Sequence, residues 1–189
     1  MIKWLSNIFK KNNKSEVNIK DVLEYNTSNK VIDNLLLTDN NGKISKIDYV
    51  LISNNGIFSI VEKNLQGQLF GNVDNEYWNQ CTFDCKYRFI NPLKQNKKNI
   101  YHINKILNNK YKVNSLIVLT QNNGNNIKIE NVVNINDLKI YIDKYNDNIS
   151  YSTEEIEDMY KLLLDAKEES NSKLNVKNNT EVDSKKRVI

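Results

Sequence analysis

The chain has 189 residues, 39% of them hydrophobic and 26% charged, which suits one domain with a modest core. Lys and Arg outnumber Asp and Glu by 27 to 23, a formal net charge of +4 that permits nucleic-acid contact without demanding it. Two cysteines and a single histidine argue against a structural zinc, and no apolar run approaches the roughly 20 residues of a bilayer span, so a cytoplasmic location is the default.

Residues 1–14 set Trp4, Leu5, Ile8 and Phe9 against lysines at helical spacing. The opening is too short and polar for a signal peptide. It reads either as a short interfacial helix making weak contact with an anionic membrane or as a helix docked on the core. Ile19, Val22 and Leu23 predict a helix from Glu16 to Leu23 packed on a sheet. Val31–Leu37 reads as the first strand, with Asp39-Asn40-Asn41-Gly42 as its turn.

The most informative stretch runs from Ile44 to Asn64, two apolar strands around Asn55-Gly56. Asn-Gly between strand formers favours a type I′ hairpin turn. With those two residues as the loop, Ile52 pairs with Ser59, Val50 with Val61 and Asp48 with Lys63. Alternation then places Asp48, Val50 and Ile52 on one face with Ser59, Val61 and Lys63. A carboxylate opposite an ammonium on an otherwise apolar face is costly to bury. Taken alone, the pair also reads as a simple cross-strand ion pair, typically worth up to about 1 kcal/mol.

A short strand is expected around Gln68–Phe70, then an irregular loop through Trp78 and Arg88. Asn91 is placed to cap a helix that Pro92 opens. That helix carries Leu93, Ile100, Ile103, Ile106 and Leu107 toward the core, with Gln95, Asn99 and His102 on another stripe. Asn114–Thr120 reads as a strand buried on both faces, Ile127–Val133 as a further strand and Asn136–Tyr145 as a short helix. Ser152-Thr153-Glu154-Glu155 is a capping-box signature ahead of a helix that buries Ile156, Met159, Tyr160, Leu163 and Leu164. Residues 170–189 are polar and aperiodic and are expected to be disordered. The fold class that follows is α/β, a mixed central β-sheet flanked by helices.

From Lys46 to Gly71 the chain resembles the nuclease-related domain (NERD) family, a branch of the PD-(D/E)XK nuclease superfamily. The matching motifs come in order: Ile47-Asp48-Tyr49; Gly56-Ile57-Phe58-Ser59-Ile60 with Lys63-Asn64; Gly67, Gly71 and Trp78; and Asn91-Pro92-Leu93-Lys94-Gln95-Asn96. Ser15-Glu16 with Ile19 and Leu23 is a looser match to the family's first helix. The resemblance covers roughly Glu16 to Thr120. It implies a restriction-endonuclease-like core and a nuclease-related domain over 15–125, preceded by the basic segment 1–14 and followed by elements of 126–169 packed on the core.

The resemblance further implies metal-dependent processing of DNA phosphodiesters with Mg²⁺ or Mn²⁺. Asp48 corresponds to a metal ligand, Lys63 to an electrostatic or water-positioning group, Glu16 to a direct or second-sphere ligand, and Gln95 to a group orienting water or phosphate. One departure stands out. The family's strand glutamate falls on Val61, and Glu62 comes one place late, so alternation sends it to the opposite face beside Tyr49. Three readings follow. The site has lost a ligand and is weak or silent, leaving a nucleic-acid-binding or scaffolding module. Alternatively, a β-bulge returns Glu62 to serve with Asp48 as a catalytic and metal-binding carboxylate. In the third, Glu16 stands in.

Overall fold

Three hydrophobic patterns in the sequence build three layers. In the computed structural model, residues 18–38, 44–146 and 148–186 are described, with side chains described through residue 174. The elements are α1 (Ile19–Leu23), β1 (Lys30–Thr38), β2 (Ile44–Ser53), β3 (Gly56–Lys63), β4 (Gln68–Phe70), β5 (Tyr77–Cys81) and β6 (Lys86–Ile90). They continue with α2 (Pro92–Ile106), β7 (Val113–Leu119), β8 (Val132–Asn134), a 3₁₀ turn (Ile135–Asp137), α3 (Leu138–Lys144) and α4 (Thr153–Lys186). The central sheet has the order β1-β2-β3-β7-β8. The first three strands run antiparallel, and β7 and β8 extend the sheet in parallel. A mixed α/β architecture with a nuclease-like core is therefore present. The basic segment 1–14, Glu16 and the turn 39–42 fall within residues 1–17 and 39–43, which lie outside the described residues.

The unbroken apolar runs of β3 and β7 are buried on both faces because helices cover each side. Ile103 of α2 and Met159 and Leu163 of α4 pack on one face with Val50, Ile52 and Ile57. Leu23 of α1 and Leu138 and Ile142 of α3 pack on the other with Leu51, Phe58 and Ile60. A second sheet, β4-β5-β6, lays Leu69 and Trp78 over Val61, Leu93, Ile117 and Leu119. The capping box forms as read: the Ser152 amide donates to Glu155 Oε2 at 2.9 Å, and the Glu155 amide to Ser152 Oγ at 3.2 Å. No helix among the described residues is long and apolar enough to cross a membrane.

Four expectations need correction. The hairpin loop is Asn54-Asn55, and Ser53 pairs with Gly56, so Val50 faces Ser59 rather than Val61. No positive φ occurs at Asn54, Asn55 or Gly56, so the type I′ turn is not used. Gly56 instead serves close packing: a Cβ there would stand 3.2 Å from the Phe58 ring and 3.3 Å from that of Tyr145. The stretch through Trp78 and Arg88 is a strand pair, because Trp78 and Phe89 meet as register partners under the small sheet. The expected strand 127–133 shrinks to Val132–Asn134, its start turned by Ile127 N–H donating to Gly124 O and Val132 N–H to Ile129 O. The tail expected to be disordered from residue 170 is helical to Lys186. Propagating a helix already nucleated adds one hydrogen bond per residue fixed, and the Glu169–Lys173 pair supports it.

Candidate active site

Antiparallel strands normally stay paired until one ends; β2 and β3 do not. Their ladder stops at Tyr49 and Ile60, while β2 continues along β1 to Ile44 and β3 along β7 to Lys63. In a continued register the Glu62 amide would meet the backbone opposite it. Here it donates to Asp48 Oδ2 at 3.0 Å. The Asp48 carboxylate therefore sits in the fork and satisfies a donor that the parting strands would strand.

The backbone around Asp48 is irregular on its other side too. The β1–β2 register passes from Asp33–Tyr49 to Leu35–Ile47, with Asn34 at φ +47°, in the left-handed region. Ile47 packs in the same core cluster as Val50 and Ile52, so strict alternation is broken across Asp48 and Tyr49. Strain of this kind concentrates where a side chain must be aimed.

Lys63 ends β3, half-buried. Burial pushes its ammonium below the usual lysine range, and the Asp48 charge opposes that shift. Its Nζ donates to Gln95 Oε1 at 3.2 Å, and Gln95 projects from the exposed side of the first turns of α2. Asp48 and Lys63 form no direct ion pair: the carboxylate is engaged by a backbone amide and the ammonium by a side-chain amide. A simple cross-strand ion pair is therefore not what these residues make. Three residues singled out from the sequence, Asp48, Lys63 and Gln95, come together from three elements.

Glu62 does not join them. The β3–β7 register runs without an extra residue from Ile57–Val113 to Lys63–Leu119, so no bulge turns Glu62 back. Its carboxylate accepts from the Tyr49 hydroxyl at 3.4 Å, and Tyr49 packs with the α1–α3 side of the sheet. Burial, then the Glu62 charge, pushes the Tyr49 phenol up to about 12. Val61 is 1% exposed and packed against Leu69, Trp78 and Leu93. Glu16 lies outside the described residues. His102 packs edge-on with Tyr101.

Among the described residues no group of three or more His, Cys, Asp or Glu side chains could hold a metal ion. The fork offers one carboxylate, Asp48, with the Gln95 amide oxygen held against Lys63. Magnesium is commonly bound through one or two carboxylates, with water and phosphate completing its octahedron. The donor set fits an ion held that loosely, not one enclosed in a protein cage.

Two asparagines fix this geometry: Asn96, which received no role from the sequence, and Asn91, read there as a helix cap alone. Asn96 is fully buried. It accepts from Ser59 Oγ at 2.6 Å and donates to Ser59 O at 2.7 Å and Ser115 Oγ at 2.9 Å, pinning α2 to β3 and β7. Gln95 is its chain neighbour, so its position follows. Asn91 caps α2 by accepting from the Leu93 amide at 2.9 Å, and its Nδ2 donates to the carbonyls of Asn72, Val73 and Asn75. The available signal was that both fall inside the motif Asn91–Asn96, at positions where a helix buries a face.

The nuclease-related domain profile matches residues 11–120. An uncharacterized protein of Bacillus anthracis is 28% identical over an alignment of 142 residues that covers 72% of this chain and 66% of that protein, so the match spans just under two thirds of the relative's length. No solved structure matches significantly. With more than half its length inside the matching profile, the chain belongs to the nuclease-related domain family.

Proposed function

We propose that the chain processes nucleic-acid phosphodiesters, DNA first among them, at the fork between β2 and β3, with low turnover. The observation that supports this most is the convergence of Asp48, Lys63 and Gln95 where the two strands part. Asp48 is the residue to hold a divalent cation such as Mg²⁺ or Mn²⁺, which when bound polarises a phosphoryl oxygen and acidifies a water. Lys63 stands ready to offset charge developing on the phosphate, and its partial burial strengthens that interaction. Gln95 steadies the ammonium through Oε1 and offers its amide to water or phosphate.

The test is cleavage of single- and double-stranded DNA with magnesium or manganese. The expected result is product that disappears on chelation and in Asp48→Ala and Lys63→Ala. Intact substrate under every one of those conditions overturns the reading.

Val61 favours a second reading, a nucleic-acid-binding or scaffolding module that keeps the fold. Its side chain closes the slot where the family carries a carboxylate, beneath Trp78 and Leu93. Val61→Glu decides between them. Gained cation affinity or cleavage marks a disabled catalytic site, whereas a folded variant with neither supports the module.

A further inference from the structure

Two surfaces next to the fork are left uncovered by the described residues, and their chemistry is complementary. The first is the outer side of α2. Lys94, Lys97, Lys98 and Lys105 all lie within Pro92–Ile106, which contains no acid. At 100° per residue they fall on one continuous arc with Tyr101, and Gln95 stands at the edge of that arc. Lys97, Lys98 and Lys105 are exposed, Tyr101 is 58% exposed, and Lys105 Nζ sits 5.2 Å from its ring centre. From Lys94 to Lys105 the strip runs about 16 Å along the helix axis.

The second surface is the outer face of the small sheet. Tyr77 and Ile90 are register partners, and Phe70, Asn79 and Arg88 form the next row. Phe70 and Tyr77 remain more than a third exposed, and the Arg88 guanidinium stacks 4.3 Å from the Tyr77 ring centre. The acids Asp74, Glu76 and Asp84 in the turns of this sheet offset Lys86 and Arg88. Charge alone therefore gives the sheet no hold on phosphate. What it offers is flat rings and a stacked guanidinium, which bind the faces of unpaired bases. A duplex keeps those faces hidden. The two surfaces adjoin: β6 passes through the single residue Asn91 into α2, and the Asn91 amide donates to Glu76 O, next to Tyr77, at 3.0 Å.

We infer that the ligand of this face is a single nucleic-acid strand. Its bases stack on Tyr77, Arg88 and Phe70, and its phosphates follow the lysine strip of α2, bringing the backbone past Gln95 and Lys63. The course of the strand rests on the proposed role of the fork; the binding itself does not.

The test is fluorescence anisotropy of the full chain with a labelled oligothymidylate of about 20 nucleotides and with a duplex of equal length. It is run in chelator, so that cleavage plays no part. Tighter binding of the single strand is expected. Tyr77→Ala and Phe70→Ala should each weaken it by about 5- to 100-fold while leaving duplex binding unchanged, and Tyr77→Phe should restore it. The triple variant Lys94→Gln/Lys98→Gln/Lys105→Gln should lower the slope of log affinity against log salt by about 2. Equal or tighter duplex binding, no binding of either, or aromatic variants that bind like the parent overturn the inference. Loss of cleavage in Asp48→Ala with single-strand binding retained bears on the fork alone.

Discussion

The dual position of Asp48 yields the sharpest prediction, because its structural role and its proposed chemical role respond to different substitutions. The carboxylate accepts the Glu62 amide in the fork, where neither neighbouring ladder is regular. Asp48→Ala removes that acceptor and leaves a half-buried amide without one, at a cost of about 1–3 kcal/mol. For a chain of this size each kcal/mol lowers the melting temperature by roughly 2–4 °C, so a fall of about 2–12 °C is expected. Asp48→Asn keeps an acceptor oxygen in place but removes the charge, and should cost less than about 1 kcal/mol. Both should abolish any metal-dependent cleavage. The measurements are urea or thermal denaturation of all three proteins, with cleavage assayed in parallel. Asp48→Ala as stable as the parent would show that the amide finds another partner and that the fork does not depend on this side chain. Asp48→Asn with undiminished cleavage would refute its assignment as the cation-holding group.

Other expectations follow from the same geometry. Asn96→Ala should destabilise by about 2–4 kcal/mol, since Ser59 and Ser115 lose their partner in the interior, and urea titration reads it. Lys63→Met should stabilise by about 0.5–1 kcal/mol in thermal denaturation near neutral pH while eliminating cleavage, because burial disfavours the ammonium. The sign is consistent: with the folded-state value depressed, the unfolded chain binds the proton more tightly, so the penalty operates below the folded value and fades as pH rises toward the usual lysine range. The phenol of Tyr49 behaves oppositely. Its folded value near 12 lies above the ordinary 10, so stability holds below pH 10 and falls between about pH 10 and 12, with a slope of at most about 1.4 kcal/mol per pH unit for this group. Tyr49→Phe should flatten that part of a pH–stability curve, and an unchanged curve would assign the loss to Tyr25 or Tyr141, whose phenols are also pushed up to about 12.

What could be read from the sequence was whatever local periodicity and capping chemistry govern. The apolar runs of β2, β3 and β7, the Asn91-Pro92 start of α2 and the capping box at Ser152 depend on neighbours within a few residues, and they appear where expected. The exclusion of Glu62 from the Lys63 side also followed from alternation, because the β3–β7 ladder is regular.

Of the candidate site, Asp48, Lys63 and Gln95 could be singled out in the sequence, but not their arrangement. Asn55-Gly56 favoured one turn in isolation, yet Gly56 is consumed by the approach of Tyr145, some ninety positions along the chain, and the register moves by two. A shift of two keeps faces, so Lys63 and Gln95 still met. Asp48 reached the Glu62 amide because the sheet opens between β2 and β3, a consequence of β3 following β7 while β2 follows β1. Trp78 found strand structure only because Val61, Leu93 and Ile117 supply the surface that buries it. Sequence alone determined the elements that short-range spacing governs, β2, β3, β7, the start of α2 and the capped start of α4. Only tertiary packing decided where the strands part and what each polar side chain must satisfy, because those choices are set by partners far away in the chain.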